Sequence, residues 1–138
     1  MNSIKQRYAF VLKSIKKDKT LIPITDSLQN KNYIVAGGSR GIGFNIAKKL
    51  ALHGGNVTII GKTQTKHPKL EGTIFSAAEE INELTKKSNC MAIPCDIRQP
   101  DQMDGVIEKT LDNFGKIDGV VLNASALCLN NTLNQTHK

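Results

Sequence analysis

Four glycines fall within the eight residues Ala36 to Gly43, "AGGSRGIG", directly after the apolar run Tyr33-Ile34-Val35. A pyrophosphate carries two negative charges that the free N–H groups and dipole of a helix N-terminus can hold, provided no side chain keeps the backbone away. The spacing Gly37-x-x-x-Gly41-x-Gly43 predicts a tight turn at Gly37, close backbone approach at Gly41, and close packing of helix on strand at Gly43. A turn that is glycine-rich for tightness alone is the bland alternative. The predicted strand ahead and amphipathic helix behind favour the phosphate reading.

Discrimination between the two nicotinamide dinucleotides is read near the end of the next strand, about 20 residues past the last glycine, where an acid would bind the ribose 2′-OH. Here that segment is Ile60-Gly61-Lys62-Thr63, with no acid. Lys62 and Arg40 instead offer cations to a 2′-phosphate, so NADP(H) is expected in preference to NAD(H). Against this stands an ordinary surface lysine in a loop. Cys90, Cys95 and Cys128 form no C-x-x-C pair, and His53, His67 and His137 are scattered. Neither a disulfide framework nor a metal site is indicated, the histidines read as surface residues, and a reducing, cytoplasmic location is expected.

The elements needed to position these residues follow from hydrophobic period. Strands are predicted at Asn32–Ala36, Asn56–Ile60, Met91–Cys95 and Ile117–Leu122. Between them lie amphipathic helices at Gly41–His53 (Ile42, Ile46, Ala47, Leu50 and Ala51 inward), Thr73–Lys86 (Ile74, Ala78, Ile81 and Leu84 inward) and Pro100–Phe114. Pro100 suits a first helical turn, Met103, Val106, Ile107, Leu111 and Phe114 form the apolar stripe, and Gly115 closes the helix. Alternating strands and helices imply right-handed βαβ units and a parallel α/β sheet, doubly wound and Rossmann-like.

Of the chain's 19 Lys and Arg, six lie within residues 1–22 against one acid, Asp18, so most of the net charge of +7 sits there. Residues 1–30 read as a basic extension ahead of a domain at 31–138. Ile4, Tyr8, Val11, Leu12 and Ile15 share one helical face over Ile4–Lys17, which we read as a lysine-rich surface helix rather than a targeting signal, because it holds a single arginine. With few aromatics beside the lysines, no nucleic-acid partner is expected. No apolar run approaches the roughly 18 residues of a membrane span.

These residues together resemble the short-chain dehydrogenase/reductase family. "AGGSRGIG" is similar to its T-G-x-x-x-G-I-G turn, "LNASA" (Leu122–Ala126) to its N-N-A-G element, and Cys95-Asp96-Ile97 to its adenine-contacting acid after the third strand. The loop "GKTQTKHPKLEGTIFSAAEEI" resembles the hydroxysteroid dehydrogenase-like protein 2 branch, which carries a similar H-P-K-L-x-G-T-I run. The resemblance implies strand order 3-2-1-4, a sheet truncated after its fourth strand, and a cofactor site of Gly37, Ser39, Arg40, Gly41, Ile42, Gly43, Lys62, Asp96, Ile97, Asn123, Ala124 and Ser125. It also admits a mitochondrial or peroxisomal location. Ala36 replaces the family's threonine and Leu122 its first asparagine, so two bracing hydrogen bonds are expected to be missing.

Reduction of a carbonyl by hydride needs a proton donor at the oxygen, a role the family gives to the tyrosine of a Tyr-x-x-x-Lys pair. Tyr8 precedes Leu12 at that spacing and Tyr33 precedes Gly37, so no such pair occurs and no catalytic residue is assigned. Ser125 has no predicted base beside it and reads as a replacement for glycine. The expected function is therefore the cofactor-binding half of an NADP(H)-dependent oxidoreductase, which would take a small carbonyl or alcohol substrate only when completed by a C-terminal half. The alternative is a truncated, non-catalytic nucleotide-binding or partner-binding fragment. One sheet face should receive two helices and the other one, leaving on the order of several hundred Å² of apolar surface for the segment Ile4–Lys17 to cover, the alternatives being a second chain or aggregation.

Overall fold

β-Branched runs too apolar for a solvated face alternate with helices apolar on one side, and the two solve each other's burial problem by layering. The computed structural model describes residues 27–65 and 72–125. The expected helix Ile4–Lys17, the His67–Leu70 run, Ala126, Cys128 and His137 lie outside those residues. Within them the order is β1 (Asn32–Ala36), α1 (Gly41–Leu52), β2 (Asn56–Gly61), α2 (Ile74–Thr85), β3 (Cys90–Pro94), α3 (Pro100–Phe114) and β4 (Gly119–Leu122).

All strand pairs are parallel, in the order β3-β2-β1-β4 that the family resemblance implies. Register places Val35 opposite Ile59 and Val121, and Ile34 opposite Thr58 and Val120. Because side chains alternate along a strand, the sheet has two apolar faces. On one, Val35, Val57 and Ile59 pack against Ala47 and Ala51 of α1 and Ile74, Ala77, Ala78 and Ile81 of α2. On the other, Ile34, Ala36, Ile60 and Ile93 pack against Val106 of α3. This is the expected two-against-one division of helices.

Local signals explain the ends. Thr73 and Ser76 form a reciprocal capping box at α2, Pro100 occupies the first turn of α3, and Gly115 closes that helix with φ +80°. Buried Asn32 joins three elements: its Nδ2 donates to the carbonyls of Phe114 (2.9 Å) and Lys116 (3.0 Å), and its Oδ1 accepts from Asn56 Nδ2 (2.8 Å). Asn89 Nδ2 donates to the carbonyls of Ala51 and Gly55 behind α1.

Several expectations shift. His53 is buried at the C-cap of α1, where its N–H bonds the Lys49 carbonyl, and is not a surface residue. Ile42 points outward at 74% exposure, the buried residue of this first turn being Gly43 instead. Leu84, Ile107 and Leu111 are also exposed, because each helix needs only a narrow stripe against a four-stranded sheet. Val120 and Leu122 of β4 stand on the α3 side of the sheet but lie open, Leu122 at 80%, so the uncovered apolar area is concentrated at that edge.

Candidate functional site

Where β1 lies between β2 and β4 the chain leaves the sheet in opposite directions, and the crevice at that switch point, outside the strands' carboxyl ends, is where open α/β sheets hold ligands. A cavity of about 320 Å³ sits there, lined by Gly37, Ser39, Arg40, Gly61, Lys62, Thr63, Cys95, Asp96, Ile97, Asn123, Ala124 and Ser125. Nine of the twelve residues expected to line a cofactor site thus surround one space. Beside it a second hollow of about 280 Å³ is bounded by Lys62, Asp96, Ile97, Arg98, Ala124 and Ser125.

The remaining three expected residues have other placements. Gly41, at φ +58°, borders a neighbouring hollow of about 380 Å³ between α1 and α2, and a Cβ there would meet nothing within 4 Å. Ile42 is exposed and lines none of these spaces. Gly43 is buried, and a Cβ on it would overlap the Gly37 carbonyl oxygen, so its lack of a side chain serves helix-on-turn packing. Gly37 turns the chain at φ +76°, and its N–H donates to the Ile60 carbonyl at 2.8 Å.

Asn123 supplies a brace despite the departures at Ala36 and Leu122. Its Nδ2 donates to the Gly37 carbonyl at 3.1 Å and its N–H to the Ala36 carbonyl at 3.3 Å, tying β4 to the glycine turn. α1 begins with Arg40 in extended conformation, with no side-chain cap and no acid in its first turn. Its N-terminal dipole is therefore not compensated by any side chain of its first turn, and its N-cap residue Arg40 lines the crevice.

Cations flank this anion-seeking end. Arg40 Nη2 donates to Thr63 Oγ1 at 3.0 Å, which draws the guanidinium toward the end of β2, and its Nη1 is buried without a hydrogen-bond partner. A buried, unpaired guanidinium N–H is costly unless something accepts from it, so the wall fits an anionic ligand. Lys62 Nζ stands 3.9 Å from Asp96 Oδ2. Asp96 is held far more closely by Arg98, whose Nη2 reaches Oδ2 at 2.6 Å and whose Nε reaches Oδ1 at 3.0 Å. Hydrogen bonds from the Arg98 side chain, then from its backbone N–H, lower the Asp96 pKa from 3.8 to about 2. Burial raises the thiol of Cys95 at the cavity floor, with the Asp96 charge adding to it, so this cysteine stays protonated.

Gly61, Thr63, Cys95 and Arg98 belong to the site although they were not assigned to it from sequence. Each is within two residues of an assigned one, and only the splay of the strand ends shows that they turn inward. Among the described residues, no group of His, Cys, Asp and Glu is arranged to hold a metal ion, and no helix is long and apolar enough to cross a membrane.

Comparison with known proteins agrees with this architecture. The sequence profile of the short chain dehydrogenase family matches residues 31–138. Hydroxysteroid dehydrogenase-like protein 2 of Bos taurus is 45% identical over 115 residues, which is 82% of this chain and 27% of that protein. Its Xenopus tropicalis counterpart is 46% identical over the same shares. The chain thus spans about a quarter of the length of these relatives. Among solved structures, a short chain dehydrogenase from Mycobacterium thermoresistibile superposes with a TM-score of 0.69 at 44% identity, over 78% of this chain and 38% of that one. L-Sorbose reductase from Gluconobacter frateurii, solved with NADPH and L-sorbose, shares the fold with a TM-score of 0.69 at 22% identity, over 79% of this chain and 38% of that one.

Proposed function

The chain belongs to the short-chain dehydrogenase family of oxidoreductases, and from that premise we propose that residues 31–138 form the cofactor-binding half of an NADP(H)-dependent member, with residues 1–30 as a basic extension. The observation that carries the reading is the crevice at the β1 switch point, walled by the uncapped start of α1 and by Arg40, Lys62 and Thr63, with no acid at the end of β2. The pyrophosphate would lie against Gly37, Ser39 and the first N–H groups of α1 at Gly41, Ile42 and Gly43. Adenine would lie toward Asp96 and Ile97, and Asn123, Ala124 and Ser125 would close the far wall. Arg40 and Lys62 would face the 2′-phosphate, which NAD(H) lacks.

Bound there, NADPH supplies a hydride. The 138 residues contain no Tyr-x-x-x-Lys pair to deliver the accompanying proton. By itself this chain is therefore expected to bind the dinucleotide without reducing ketones or aldehydes, a carbonyl or alcohol substrate being taken only with the residues of a C-terminal half. Cofactor oxidation by the purified chain at about 1 per second, an ordinary enzymatic rate, would refute that part.

Calorimetric titration tests the cofactor assignment. The parent chain should bind NADPH more tightly than NADH, and Lys62→Asp should lower NADPH affinity by roughly 5- to 30-fold, about 1–2 kcal/mol for a solvent-screened charge on phosphate. Equal NADPH affinity in parent and variant removes Lys62 from the site.

A further inference from the structure

An NADP(H) site built on Lys62 has an internal conflict, because the Asp96 carboxylate lies beside the cation meant for the phosphate. Free, that carboxylate would both repel a 2′-phosphate and compete for Lys62. The geometry removes the competition. Arg98 makes four hydrogen-bond contacts to Asp96: its Nε is shared between Oδ1 at 3.0 Å and Oδ2 at 3.2 Å, its Nη2 donates to Oδ2 at 2.6 Å, and its backbone N–H to Oδ1 at 3.2 Å. Lys62 Nζ, at 3.9 Å, keeps only a loose ion pair with the same carboxylate, beyond hydrogen-bond distance.

We propose that Arg98 is a specificity-determining positioning residue for NADP(H): by neutralising Asp96 it leaves Lys62 free to meet the 2′-phosphate. This rests on the cofactor reading above and adds a residue and a role to it. A forked guanidinium suits the task, since it satisfies a carboxylate from two directions while an ammonium acts as a point charge. Backbone geometry contributes as well, because the Asp96 N–H donates to Gln102 Oε1 at 2.8 Å and holds the Asp96-Ile97-Arg98 turn against the start of α3. The lowered pKa of Asp96 accords with full ionisation at neutral pH, so the charge to be neutralised is always present.

Removing Arg98 separates two kinds of effect. Loss of carboxylate orientation or of local structure weakens NADPH and NADH alike. Loss of neutralisation weakens only the phosphate-bearing ligand.

The test is calorimetric titration of the full chain with NADPH and with NADH, for parent, Arg98→Ala, Arg98→Lys, Asp96→Asn and Asp96→Asn/Arg98→Ala. Arg98→Ala should reduce the NADPH-to-NADH affinity ratio by roughly two- to fivefold, the scale of an exposed charge pair, and less at 0.5 M than at 0.05 M salt. Arg98→Lys, which keeps the charge and loses the fork, should restore part of the ratio. In the Asp96→Asn background, Arg98→Ala should leave the ratio unchanged. An unchanged ratio in Arg98→Ala, while the parent prefers NADPH, overturns this inference and spares the cofactor reading. An equal drop in the Asp96→Asn background overturns it too, because Arg98 would then touch the phosphate directly. Failure of the parent to bind either dinucleotide, or to prefer NADPH, overturns both.

Discussion

Adding one methyl group at Gly43 and one at Gly105 should move stability in opposite directions, although both glycines lie inside helices. In α1 a Cβ on Gly43 would overlap the Gly37 carbonyl oxygen and approach Asn123 Nδ2 to 2.6 Å. The obstacle is backbone held by the Gly37-to-Ile60 hydrogen bond, so relief requires α1 to lift off the turn. Overpacking of this kind costs about 3 kcal/mol, and loss of the Asn123–Gly37 bond about 1 more. Alanine returns at most about 1 kcal/mol of helix propensity. The net is a destabilisation of about 2–4 kcal/mol, or a fall in Tm of roughly 8–30 °C for a domain near 100 residues. At Gly105, in the middle of α3, a Cβ meets nothing within 4 Å, so Gly105→Ala should stabilise by about 0.5–1 kcal/mol. Thermal melts followed by circular dichroism measure both. A Gly43→Ala protein melting within 1–2 °C of the parent would refute the claim that this glycine exists for close packing. Dinucleotide affinity should fall alongside Tm for Gly43→Ala and stay level for Gly105→Ala.

Asn32→Ala removes a buried amide that serves the Phe114 and Lys116 carbonyls and Asn56. With three partners stranded it should cost about 3 kcal/mol, read as a lower denaturation midpoint in urea with an unchanged slope. Asp118 accepts from the Asn32 N–H at 2.9 Å and from Lys116 and Lys31 at 3.0 and 3.2 Å, and these contacts, the backbone bond foremost, lower its pKa from 3.8 to about 2. A carboxyl whose folded pKa is depressed stabilises above its unfolded value and loses that contribution as pH falls through the folded one. Asp118→Asn should therefore lower Tm at pH 7, with the gap to the parent closing between about pH 4 and pH 2. A gap independent of pH would exclude the charge as its source.

The alternation of elements, the parallel sheet and the glycine turn are legible in the residues alone, because they depend on short-range facts. A β-branched run is stiff, an amphipathic stripe repeats every 3.6 residues, and Gly37 at φ +76° must be free of a side chain. The motif also singled out Lys62, Asp96 and Asn123, which follow strand ends, and Arg40 at the start of α1, and the four line one crevice. What those residues touch depends on the packing of the whole fold. That Ile42 faces solvent, that His53 is buried, that Asn123 turns its amide back onto the Gly37 carbonyl, and that Gly43 serves packing all depend on where α1 comes to rest on the sheet. Arg98 is the clearest case. It stands two residues from Asp96, and nothing in their spacing says whether its guanidinium closes on that carboxylate or extends into water. The turn pinned by Gln102 and the bulk of α3 settle it, because a charge pair forms only where the backbone has already brought donors and acceptors into line.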